Sequence, residues 1–125
     1  MAIEKRMSQK AVIAVARKTI AHYQHVLGLQ SWQFSIGLVT EKAINDHMGD
    51  DRRYIATVHN ERDEQMTLMR INKDIPWEAK RLRKVVLHEL LHVVAAEVWM
   101  EAPSSGEWEL FLDRLTCSIQ RAEDK

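Results

Sequence analysis

Apolar residues near the start of the chain recur every three or four positions, which is the period of an amphipathic helix. Ser8 precedes this run and Gly28 follows it, so they are the expected N-cap and stop. We therefore predict a first helix between these two residues, packed on a sheet. Its inner face is Val12, Val15, Ala16, Thr19, Ile20, Tyr23 and Leu27.

The period changes to two over residues 32–39, which predicts a half-buried strand. Two further strands are predicted over residues 54–59 and 65–71. The charged segment 60–64 joins them, so a hairpin is the simplest arrangement. Between the first and second strands, Thr40 can cap a short helical turn that ends near Met48.

Two helices are predicted in the last third of the chain. The first begins at Asp74 or Ile75, with Pro76 in its first turn, and runs to about Met100. Residues 101–106 break it, and a last helix follows over 107–121. The expected apolar face of that helix is Leu110, Phe111, Leu115, Cys117 or Ser118, and Ile119. This order predicts one α+β domain over residues 1–125, with an N-terminal helix, a small three-stranded sheet and two C-terminal helices.

The chemistry in this chain is concentrated in His88-Glu89-Leu90-Leu91-His92. Two residues separate Glu89 from His92, so the stretch has the HExxH spacing. Histidines four apart lie one turn apart on the same helical face and can hold one cation. In HExxH helices they bind zinc, and the glutamate is general base to a water that the metal activates.

The residues around this motif favour a metal site. Leucine and valine dominate residues 85–94, so the helix is expected to be mostly buried. An ionised Glu89 would cost several kcal/mol by desolvation there, unless a cation lies beside it. The alternative is a hydrogen-bonded polar patch in a core helix.

A hydrolytic zinc site usually has three protein ligands, so a third ligand is expected. No histidine follows His92, which leaves carboxylates. Glu97 and Glu101 lie too far along the same helix. We predict Glu109, because the turn at 103–106 lets the last helix run back beside the motif. Asp113, as ligand or as partner of a ligand histidine, and Glu107 remain the alternatives.

The composition narrows the function classes. Lys plus Arg and Asp plus Glu both number 18, so the net charge does not favour nucleic acid or an anionic membrane. Nucleic-acid binding through Arg52, Arg53 and residues 80–84 is a third, disfavoured hypothesis. Cys117 is the single cysteine. With no secretory signal and no run of ~18 apolar residues, we expect a cytoplasmic protein that does not cross a membrane.

The motif and the order of elements resemble the zincin metallopeptidases. Glu109, as a glutamate ligand, implies the gluzincin-like branch. The small chain is also similar to the compact metallopeptidases of phages and prophages. The resemblance implies Zn²⁺ held by His88 and His92, Glu89 as base, and a peptide or protein substrate laid along an edge strand, expected to be residues 65–71.

The chain departs from the family pattern in two ways. The glycine and third histidine that follow the motif in metzincins are absent after His92. In addition, neither a histidine nor a tyrosine follows His92 to stabilise the oxyanion. Tyr54, His59 or Arg114 could substitute. The alternative function is therefore a zinc-binding module without peptidase activity that acts through protein–protein contacts.

Overall fold

The computed structural model describes residues 7–49, 54–98 and 106–124. Within them the fold class is α+β, as predicted, with four helices and one small mixed sheet. The elements in chain order are α1 (Gln9–Val26), β1 (Gln33–Val39), α2 (Glu41–Met48), β2 (Ala56–Glu61), β3 (Met66–Asn72), α3 (Ala79–Val98) and α4 (Gly106–Glu123).

The three-stranded sheet has the order β1-β3-β2. β2 and β3 pair antiparallel, which confirms the predicted hairpin, whereas β1 pairs parallel to β3. β3 is therefore the central strand, and the prediction that residues 65–71 form an edge strand is wrong. The alternation of apolar and polar residues does not show whether a strand is central or at an edge of the sheet. That depends on pairing between distant parts of the chain.

The predicted caps of the first two helices are confirmed. The Ser8 hydroxyl accepts a hydrogen bond from the Ala11 amide at 3.1 Å, and the Thr40 hydroxyl accepts one from Ala43 at the same distance. Gly28 follows α1 with a φ of +73°, a left-handed conformation that favours glycine. The inner face of α1 packs chiefly on α3 and only secondarily on β1.

Helix α3 begins later than the sequence predicted, at Ala79. The preceding residues make other contacts. The Asp74 carboxylate accepts a hydrogen bond from the Glu41 amide at 2.8 Å, and the Trp77 indole donates to the Asn72 carbonyl at 2.8 Å. These bonds hold the segment against β3 and the start of α2, so it does not form a first helical turn.

The core lies between α3, α1 and the sheet. In α3 the fully buried side chains are Leu82, Val86, Leu87, Leu90 and Val93. α4 covers this core with Leu112 and Thr116. The apolar face predicted for α4 is therefore largely wrong, because Leu110, Phe111 and Leu115 are exposed. In the described part of the chain, no helix is long and apolar enough to cross a membrane.

Candidate metal centre

Helix α3 presents His88 and His92 on one face, one turn apart. Their ring centroids are 5.1 Å apart and their planes are inclined by 73°. Leucine and valine side chains around them are buried in the core, which fixes the rotation of α3 about its axis. The two imidazoles are partly buried and border a cleft.

Helix α4 brings Glu109 to both histidines. Its Oε2 atom lies 3.0 Å from Nε2 of His88, and its Oε1 atom lies 3.1 Å from Nε2 of His92. Ligand atoms about 2.0–2.2 Å from a tetrahedral zinc ion are separated by roughly 3.3–3.6 Å, slightly more than these two distances. The carboxylate thus lies at about the distance from both nitrogens that a shared metal ion requires.

Glu89 lies beside the histidines but is much more buried, with 8% of its surface exposed. His88, Glu89 and His92 each offer a ligand atom, and these atoms all lie within 4.8 Å of one another, so the group could hold a metal ion. Burial raises the pKa of Glu89 well above its usual range, and the nearby Glu109 carboxylate raises it further. A cation would offset the cost of placing two carboxylates so close together.

The environment of His92 favours a neutral imidazole. Burial lowers its pKa below the usual range, and this effect outweighs the opposing attraction of the Glu109 carboxylate. The neutral ring is the form that binds a metal ion through nitrogen. The environment of His92 is therefore compatible with the binding of a metal ion at this group.

Asp113 lies one turn after Glu109 in α4 and approaches the other nitrogen of His88. Its Oδ1 atom is 3.0 Å from Nδ1, although the two atoms are not aligned as a hydrogen bond. This is where a carboxylate that orients a ligand histidine is placed. Of the other candidates, Glu101 and the side chains of Glu97 and Glu107 lie outside the described residues.

A cleft of about 820 Å³ opens over these side chains. One wall is the face of α3 that carries the histidines, and the other is β2 with the residues just before it. Two of the residues predicted to stabilise an oxyanion, Tyr54 and His59, line the cleft. Arg114 is not among the described residues that line it. The edge strand beside the site is thus β2.

No protein-family model, curated protein or solved structure matches this chain.

Of the other described histidines, His22 and His25 do not join this centre. His22 contacts Glu123 at 2.8 Å, at the far end of α4, and His25 is exposed. The side chain of His47 lies outside the described residues.

Two cleft residues were missed by the sequence analysis, which considered residues 80–84 only as a basic segment for nucleic-acid binding. Arg81 and Lys84 line the cleft, whereas Lys80 and Arg83 line a separate cavity between α1, α3 and α4. Their spacing from His88, seven and four residues, was the available signal, because it places them on the histidine face of the helix.

Proposed function

We propose that this protein is a zinc-dependent, zincin-like metallopeptidase. The observation that carries the proposal is the convergence of four side chains in one cleft. His88, Glu89 and His92 come from α3, and Glu109 comes from α4. A polar patch in a core helix would not need a second helix to bring a carboxylate to both imidazoles.

The proposed ligands of the metal are His88, His92 and Glu109. Two imidazoles and one carboxylate suit zinc better than magnesium or calcium, and three protein ligands leave one position open for catalysis. When bound there, zinc would supply a Lewis acid that makes water nucleophilic at neutral pH. Asp113 would orient the His88 ring through Nδ1.

Glu89 is the proposed general base. Glu89 lies beside the two histidines, where it would accept a proton from the attacking water as the bond between oxygen and the carbonyl carbon forms. The same carboxyl group then donates that proton to the leaving nitrogen as the carbon–nitrogen bond breaks. Its burial excludes bulk water, which would otherwise exchange protons with it.

The proposed substrate is an extended peptide. In the described part of the chain β2 pairs only with β3, so its other edge offers backbone hydrogen bonds to a strand in the cleft. Tyr54 and His59 are on the same side of the cleft as that edge. They are the candidates for stabilising the oxyanion.

The deciding experiment compares wild type with Glu89→Gln, using zinc content and hydrolysis of a broad peptide library. Glu78→Gln is the matched control, because Glu78 is exposed and just precedes α3. We expect Glu89→Gln to keep its zinc and to lose about 10²–10⁴-fold in rate. Equal activity would refute the base role. A wild type that binds zinc but cleaves nothing would instead indicate a module that acts through protein–protein contacts.

A further inference from the structure

The side of the cleft that α3 and α4 form is divided by charge into two ends. The carboxylates Glu89, Glu109 and Asp113 cluster at the histidine end. Arg81 and Lys84 lie toward the other end, nearer the start of α3. A third cation of the cleft, Arg62, lies across from them just after β2. A substrate lying along the cleft therefore meets fields of opposite sign at its two ends.

The separation of these ends follows from helix geometry. At about 1.5 Å rise per residue, Lys84 lies ~6 Å and Arg81 ~10 Å before His88 along the axis of α3. Extended peptides advance by about 3.3 Å per residue. The two cations are therefore two to three substrate residues away from the histidines.

The Arg81 charge is held in place. Its guanidinium carbon lies 5.6 Å from the centroid of the Trp77 ring, which is itself only 3% exposed. This cation–π contact anchors the side chain to the core while its donors remain at the cleft. Among the described residues, neither Arg81 nor Lys84 forms an ion pair with a carboxylate, so both can bind an anionic group.

We infer that Arg81 and Lys84 bind a carboxylate of the substrate, two to three residues to one side of the bond that is cut. This inference rests on the proposed function and adds a substrate preference to it. The carboxylate is either an acidic side chain or the C-terminus of the peptide. An acidic group on the opposite side would meet the carboxylate end of the cleft and be disfavoured.

The test uses zinc-loaded protein and peptides that differ only at the third, second or first residue on either side of the bond that is cut. Each position carries Glu or Gln, and each peptide is made with a free or an amidated C-terminus. We expect kcat/KM to be about fivefold higher for Glu than Gln on one side only, falling as salt is raised. If kcat/KM instead depends on whether the C-terminus is free or amidated, the bound carboxylate is that of the peptide C-terminus.

Two double variants test the residues. Arg81→Gln/Lys84→Gln is expected to bring the ratio of kcat/KM for the preferred acidic peptide and its neutral counterpart close to one. Lys80→Gln/Arg83→Gln removes the same charge from the same helix but outside the cleft, and it is expected to leave this ratio unchanged. An equal loss in both variants would refute the inference, since it would reflect net charge alone. Circular dichroism checks that both variants are folded.

Failure of the peptidase proposal is distinguishable from failure of this inference. If wild type cleaves none of the peptides, the proposed function fails. The inference is then tested by the affinity of zinc-loaded Glu89→Gln for fluorescently labelled forms of these peptides. Equal binding of acidic and neutral peptides, like equal cleavage of them by an active wild type, would refute it.

Discussion

The Oε2 atom of Glu109 lies 3.0 Å from Nε2 of His88, although 21 residues separate the two along the chain. Glu109 belongs to α4, whereas His88 belongs to α3. The proposed centre is therefore completed by the packing of one helix on another. Buried Leu112 and Thr116 supply part of that packing, one turn and two turns from Glu109.

We expect His88→Ala to lose its metal. Wild type purified without added metal should contain about one zinc per chain, and the variant close to none, because two remaining ligands hold zinc poorly. Elemental mass spectrometry measures this. His25→Ala is the control, since His25 is an exposed histidine on another helix. Equal zinc in wild type and His88→Ala would refute the site.

Glu109 and Asp113 should differ in how strongly they affect metal affinity. Glu109→Ala removes a proposed ligand, whereas Asp113→Asn weakens only the orientation of the His88 ring. We expect zinc affinity to fall about 10–100-fold for Asp113→Asn and further for Glu109→Ala. Competition with a fluorescent chelator gives both values. Unchanged affinity in Glu109→Ala would exclude it as the third ligand.

The pH dependence of stability should reveal a second contact of α4, between Glu123 and α1. Glu123 accepts hydrogen bonds from the Tyr23 hydroxyl and from His22. Partial burial alone would raise the Glu123 pKa, but these two partners outweigh it and lower the pKa below its usual range. A lowered carboxyl pKa stabilises the fold above the unfolded value, and this stabilisation is lost as pH falls through the folded value.

Glu123→Gln should therefore lower the free energy of unfolding at pH 7 by about 1 kcal/mol or less, since the side chain is 36% exposed. The difference from wild type should shrink as the pH falls below the usual pKa of the carboxyl group. Urea unfolding across this range measures it. Asp124→Asn serves as a neighbouring control. A difference that stayed constant with pH would contradict the assigned role of the charge.

Leu90, one of the two variable positions of the HExxH stretch, should matter for folding. Leu90 has no exposed surface, so Leu90→Ala is expected to cost about 2–5 kcal/mol through lost burial and a residual cavity. Leu110 in α4 is 50% exposed, and Leu110→Ala should change stability by about 0.5 kcal/mol or less. Urea unfolding of both compares them directly. Similar costs would contradict the observed burial.

Sequence reasoning predicted the features that have short-range causes. The caps at Ser8 and Thr40 follow from bonds between residues three apart, and the hairpin of β2 and β3 from two strand patterns joined by a short loop. The shared face of His88 and His92 follows from the helical period alone. In each case the partners lie close together in the chain.

Only the tertiary structure decided the features that depend on distant partners. β3 is central because β1 pairs with it across a connection that contains α2 and β2. α3 begins at Ala79 because Asp74 is bonded to Glu41, and α4 turns Leu112 rather than Phe111 to the core. Arg81 faces the cleft because α3 is rotated to bury its leucines. The sequence alone therefore determined the helices, the strands and the two histidines, whereas long-range packing decided what lies opposite them.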